Sequence, residues 1–183
     1  MVGYTFILGG ARSGKSTYAE RLAEHLSGLH SLNVTYVATA QSSDDEMEAR
    51  ILRHREGRPS GWNTDEVPLD VAGWLKAQRT PQVILIDCLS LLMNNWMFLD
   101  HSDEHEVFAR IDELISAMVE AQNPIVVVSN EVGQGIVPEH PLSRRYRDWL
   151  GLMNQKTAQH AEKVIWVIAG IPVDLKSIQV PFL

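Results

Sequence analysis

The chain has a single cysteine, Cys88, so no intrachain disulfide can form, and a reducing compartment is the simple expectation. No run of Lys or Arg exceeds two, and the formal net charge is −7. A nucleic-acid partner requires a basic stripe that displaces counterions from phosphates, so that class is disfavoured. No apolar stretch approaches the ~18 consecutive residues of a membrane-spanning helix. The first residues also lack the charged-then-apolar order of a secretion signal. Together these absences predict a soluble cytoplasmic protein without a membrane span. No repeat, low-complexity tract or long linker divides the sequence. Its 183 residues suit one domain over 1–183, large enough to bury a core without a disulfide or metal staple.

Five short apolar runs stand out: YTFIL (4–8), VTYV (34–37), VILI (83–86), IVVV (125–128) and VIWVI (164–168). They are rich in β-branched and aromatic residues and do not alternate with polar ones, as expected of strands buried on both faces of a parallel sheet. Helical spacing fills the gaps between them. Tyr18, Leu22 and Leu26 recur four apart, and Val107, Ile111, Leu114 and Met118 share one face of a second helix. Strand–helix alternation of this kind predicts an α/β fold with a mostly parallel sheet flanked by helices. A segment with two Gly and two Pro, 132–145, reads as a loop after the fourth run, either a plain surface connection or, at a strand end where such sheets bind ligands, part of a site.

Gly9-Gly10-Ala11-Arg12-Ser13-Gly14-Lys15-Ser16 satisfies G-x-x-x-x-G-K-[ST] in full, between a strand and an amphipathic helix. The glycines permit backbone turns that aim successive N–H groups at phosphate oxygens. Lys15 brings positive charge to the β- and γ-phosphates, the Ser16 hydroxyl ligates Mg²⁺, and the following helix adds the positive end of its dipole. VILID ends in Asp87, which is placed to hold the same Mg²⁺ directly or through water. Nucleotide binding and a P-loop fold follow.

Residues 42–68 form an expected helical excursion. Ser43 and Glu46 make a capping box, Met47, Ile51 and His54 share a face, and Gly57 and Pro59 stop the helix. From the residues alone, two readings of His54 stand. It is a half-buried residue whose charge suits a helix C-terminus, or a nucleophile kept neutral by Arg53, Arg55 and Arg58. His25, His30, His101, His105, His140 and His160 lack such a setting and read as solvent-facing.

GGARSGKS, DDEMEARILRHREGRP, Trp62-x-Thr64-x-Glu66, the Asp87 strand end and SNEVGQGIVPEHPLSRRYRDWLGLMNQ together resemble the bifunctional adenosylcobinamide kinase / adenosylcobinamide-phosphate guanylyltransferase family of cobalamin synthesis. The resemblance runs to about residue 171; the tail SIQVPFL has no counterpart. It implies a P-loop fold of the RecA type and two reactions on one substrate. A nucleoside triphosphate (ATP or GTP) phosphorylates adenosylcobinamide, and GTP then donates GMP to that phosphate through a guanylylated histidine, releasing pyrophosphate. It implies that His54 is this histidine. It implies guanine-nucleotide contacts at residues 9–16, at Ala38, Thr39 and Ala40, at Arg55, Glu56, Gly57 and Arg58, and at Glu66 and Asp87. It also implies a homo-oligomer, a trimer. Asp87 stands where relatives can carry Glu, and Arg53 where a second histidine can precede the nucleophile. Glu131 is a candidate base for the kinase step. The alternatives are a single-function P-loop small-molecule kinase and a nucleotide-sensing module without chemistry.

Overall fold

The computed structural model describes residues 3–41 and 59–180. Seven strands form one sheet: β1 (Tyr4–Gly9), β2 (Val34–Ala38), β3 (Asn63–Glu66), β4 (Val83–Asp87), β5 (Ile125–Asn130), β6 (Lys163–Ile168) and β7 (Ile171–Asp174). The described helices are α1 (Lys15–His30), α2 (Val71–Ala77), α3 (Leu89–Phe98), α4 (Glu104–Glu120) and α5 (Pro141–His160). Strand order is β3-β2-β4-β5-β1-β6-β7, with every pairing parallel except the antiparallel β6–β7 edge. The five apolar runs are β1, β2, β4, β5 and β6.

Alternate residues of these strands feed two cores, which is why the runs are apolar throughout. Tyr4, Phe6, Ile84, Ile86, Ile125 and Val127 face α2, α3, α4 and α5. Ile7, Val83, Leu85, Val126 and Val128 face α1. On α1 the fully buried apolar positions are Ala19 and Ala23, while Tyr18, Leu22 and Leu26 pack from the flank. Small side chains let the helix sit close to the sheet, so the larger residues of the predicted stripe wrap around the contact. The stripe on α4 behaves as expected: Val107, Ile111, Leu114 and Met118 are buried, and Asp103 and Glu106 close a reciprocal capping box.

Three differences from the sequence reading have physical causes. Helix α5 begins at Pro141, so the loop expected over 132–145 ends at His140. Proline at the first helical turn sacrifices no hydrogen bond, and here it starts a helix where it was read as loop. Helix α3 gave no periodic signal because it is covered nearly all round, with Leu89, Leu92, Met93, Trp96 and Met97 buried. Residues 63–66 form β3, a mostly exposed edge strand paired to β2, whose polar sequence hid it. The rest of the expected excursion, 42–58, lies outside the described residues.

Ile86 is fully buried in the central part of the sheet. Ile86→Ala is expected to lower stability by about 2–5 kcal/mol through lost burial and the cavity left behind. Urea denaturation should show a lower midpoint with an unchanged slope.

Candidate active site

Parallel pairing brings six strand ends to one edge of the sheet. Ala38 lies in register with both Glu66 and Asp87, and Gly9 with Asn130. Because β5 lies between β4 and β1, Asn130 sits between the Asp87 end and the loop that follows Gly9.

That loop is built from backbone strain and close approach. Arg12 and Gly14 are left-handed, at φ 54° and 93°, which turns the chain tightly before α1 starts at Lys15. A Cβ on Gly9 would come within 2.5 Å of Ser13 Oγ and 2.7 Å of the Val167 carbonyl oxygen, so only glycine fits there. Gly10 is different: a Cβ there would meet nothing within 4 Å. Ser13 N–H donates to the Gly10 carbonyl (3.3 Å), and Gly170 N–H donates to the Ser13 carbonyl (2.8 Å), which fastens the β6–β7 turn to the loop. Lys15 is buried, and its Nζ donates to the Gly10 carbonyl at 3.2 Å, so the ammonium folds over the loop. Glu131 N–H donates to the Gly9 carbonyl (3.1 Å), and its carboxylate accepts from Gly133 N–H (2.5 Å).

Asp87 accepts a hydrogen bond from the Tyr36 hydroxyl at 2.9 Å. Thr39 Oγ1 donates to the Cys88 carbonyl and accepts from Cys88 N–H, both at 2.8 Å, locking the end of β2 to the turn after β4. Asn95 Nδ2 holds the Thr39 carbonyl (2.8 Å) and the Pro68 carbonyl (2.9 Å). Asn130 Nδ2 donates to Ser90 Oγ (3.0 Å), Tyr146 donates to the Ser90 carbonyl (3.0 Å), and Asn154 donates to the Asn130 carbonyl (3.0 Å). Burial pushes the Cys88 thiol up to about 11, aided by the negative charge of Asp87, so at neutral pH it is protonated and no nucleophile. Tyr146 is pushed up to about 12, again chiefly by burial.

Residues 5–175 match the family described as cobinamide kinase / cobinamide phosphate guanyltransferase. The chain belongs to this family. It is 44% identical over 171 residues to the bifunctional adenosylcobalamin biosynthesis protein CobP of Pseudomonas aeruginosa, covering 93% of this chain and 95% of that protein. It is 40% identical to the bifunctional adenosylcobalamin biosynthesis protein CobU of Escherichia coli K12, over 93% of this chain and 98% of the relative. In fold it is similar to a solved ATPase domain, with a TM-score of 0.52, 13% identity, and coverage of 90% of this chain and 69% of that one. The likeness is one of fold: a mostly parallel sheet with flanking helices.

In this member of the cobinamide kinase family, the residues singled out in the sequence fall in two places. Gly9 to Ser16, Ala38 to Ala40, Glu66 and Asp87 lie along the one sheet edge. His54 and Arg55, Glu56, Gly57 and Arg58 lie outside the described residues. The six remaining histidines are all exposed, as expected. Sequence reading quoted Asn130 only inside the motif SNEVGQG and gave it no role of its own; its Oδ1 is buried and has no hydrogen-bond partner among the described residues. The further signal was a polar pair, Ser129 and Asn130, closing an apolar run.

Two outcomes follow from this geometry. Gly9→Ala should abolish nucleotide binding, measured by calorimetry, because the added carbon displaces either Ser13 or the Val167 backbone. The native protein at pH 8 should resist thiol-specific reagents over hours, while urea-unfolded protein reacts at its one thiol.

Proposed function

We propose that the chain carries both activities of its family on a single substrate. A nucleoside triphosphate first phosphorylates adenosylcobinamide: the substrate hydroxyl attacks the γ-phosphorus, the bond to the β-bridging oxygen breaks, and the nucleoside diphosphate leaves. Glu131, anchored beside Gly9, is the candidate to take the hydroxyl proton. In the second reaction neutral His54 attacks the α-phosphorus of GTP and pyrophosphate leaves. The substrate phosphate then displaces the histidine, giving adenosylcobinamide-GDP and restoring the imidazole.

The phosphates are read as lying on the inward-turned N–H groups of residues 9–16, with Lys15 offsetting their charge. The donor set suits Mg²⁺, which takes one or two protein oxygens and fills the rest of its shell from phosphates and water. Ser16 and Asp87 would hold it, and it would neutralise charge on the β- and γ-oxygens. Asp87, pinned by Tyr36, is a fixed carboxylate at the end of a rigid strand, as such a ligand should be. Guanine-nucleotide contacts are assigned to Ala38 to Ala40, Arg55 to Arg58 and Glu66. The working form is proposed to be a homotrimer in the cytoplasm.

The observation that carries this reading is the family match over 5–175 on a chain whose phosphate loop is complete. The test is incubation with GTP labelled at the α-phosphate. Acid-labile, base-stable label should appear on the protein, and His54→Ala should lose it while still phosphorylating cobinamide. Unlabelled wild type that makes cobinamide phosphate would leave a single-function kinase. Nucleotide binding with no turnover at all would leave a sensing module.

A further inference from the structure

The connection from β5 to α5 exposes an apolar patch beside the phosphate loop. Ile136 is 97% exposed, Val137 58% and Val132 37%. Exposed apolar residues scattered singly are ordinary, but three within six positions form a surface that favours a partner. The segment is held at both ends. At its entry Glu131 N–H donates to the Gly9 carbonyl (3.1 Å) and the Glu131 carboxylate accepts from Gly133 N–H (2.5 Å). At its exit Arg144 Nη1 donates to the carbonyls of Pro138 (3.1 Å) and Glu139 (2.5 Å). Pro138 also biases Val137 toward extended backbone. We propose that residues 132–137 are the surface on which the corrin ring of cobinamide lies while its hydroxyl arm reaches the phosphates. The proposal rests on the reading of the chain as a cobinamide kinase and names where that kinase holds the bulk of its substrate.

Three observations support it. The substrate is far larger than its reacting group, so only the hydroxyl arm enters the cradle and the macrocycle stays at the mouth. The patch lies at that mouth, beginning one residue after Glu131, which is bonded to the strand that carries the loop. The chemistry is also suitable. A corrin ring turns methyl-bearing apolar faces outward and carries amides on its periphery. Ile136 and Val137 offer apolar contact to such a face, and the exposed Gln134 offers an amide to its rim. The third observation decides between two flanks. Ile168 and Ile171 make another exposed apolar pair at the β6–β7 turn, and β1 separates β6 from β5, so the two patches stand on opposite sides of the cradle. Glu131 and Asp87 belong to the β5 side, since β4 pairs with β5. A hydroxyl must come within hydrogen-bond reach of its base, which places the ring on that side. The ends of β2 and β3, with β4 between them and this patch, stay open for the guanine-nucleotide contacts.

The experiment uses the full chain, the double variant Ile136→Ser/Val137→Ser, and Ile171→Ser as a change of equal kind on the other flank. Cobinamide binding is measured by equilibrium dialysis, read from the visible absorbance of the ring, and MgGTP binding by calorimetry. Phosphorylation kinetics and light scattering complete the set. The double variant should raise the Kd and KM for cobinamide by about 10-fold or more. Its kcat at saturating cobinamide, its affinity for MgGTP and its mass in solution should match wild type, the first two within about twofold. Ile171→Ser should bind cobinamide as wild type does. Unchanged cobinamide affinity in the double variant overturns the proposal, as does an equal loss in Ile171→Ser. A loss accompanied by a smaller mass in solution also overturns it, because the patch is then a contact between copies of the chain. A wild type that binds no cobinamide overturns the proposed function itself, which separates that failure from this one.

Discussion

The close approach of three backbone segments around Gly9 is the constraint on which the site depends. The Val167 carbonyl oxygen and Ser13 occupy the space a side chain at Gly9 would need, and Glu131 N–H closes on the Gly9 carbonyl from the end of β5. Arg12 is a left-handed non-glycine, which costs about 1–2 kcal/mol, whereas Gly14 takes its φ of 93° without strain. The loop keeps this conformation because both of its flanks are tied down: β5 holds the entry, and the β6–β7 turn holds Ser13 near the exit. The antiparallel β7 thus has a positional role. By folding back on β6 it delivers Gly170 to the loop, which a parallel sheet ending at Ile168 would not do.

Beneath the strand ends lies a layer of buried polar groups rather than an apolar core. Thr39, Cys88, Ser90, Asn95, Asn130, Tyr146 and Asn154 join the ends of β2, β4 and β5 to the start of α3 and the body of α5. Each such group is costly when unpaired, so a largely satisfied network favours one arrangement of the strand ends over others. Its geometric consequence is direct. Thr39, fastened twice to Cys88, fixes where the chain leaves β2, and Asp87 immediately before Cys88 is fixed with it. Asn154 Oδ1, Asn130 Oδ1 and Ser129 Oγ have no partner among the described residues, and the last two lie at the end of the strand that separates the loop from Asp87.

What could be read from the sequence was whatever depends on local pattern. The five buried strands announce themselves through continuous β-branched runs, and α4 through its stripe and capping box. The loop announces itself through a spacing that few other structures require. Elements whose identity is set by tertiary placement stayed hidden. Polar β3 is a strand because β2 offers it an edge, and α3 is a helix buried on nearly every side, so neither shows its period. Pro141 was read as loop because proline breaks helices in their interior and begins them at the first turn, and sequence alone did not say which position it held. In the site, Asn130 was quoted within a motif but given no role, for a related reason. Its importance comes from β5 inserting between β1 and β4, a matter of strand order that no local window contains.

Strand order also bears on how one phosphate cradle can serve two transfers. In the proposed reactions attack falls first on the γ-phosphorus and then on the α-phosphorus, two bridging oxygens away. Groups on the ends of β1, β4 and β5 are mutually fixed and suit a phosphate chain that keeps its place. His54 belongs instead to the connection between β2 and β3, parallel neighbours that must be joined by a crossover. That connection leaves the sheet at Thr39, on the active edge and directly beside Asp87. In the proposed second step, the nucleophile therefore comes from a connection that joins the sheet edge at Thr39. Under the proposed function, the fixed edge supplies the charge stabilisation common to both steps, and the crossover supplies the group that only the second step uses.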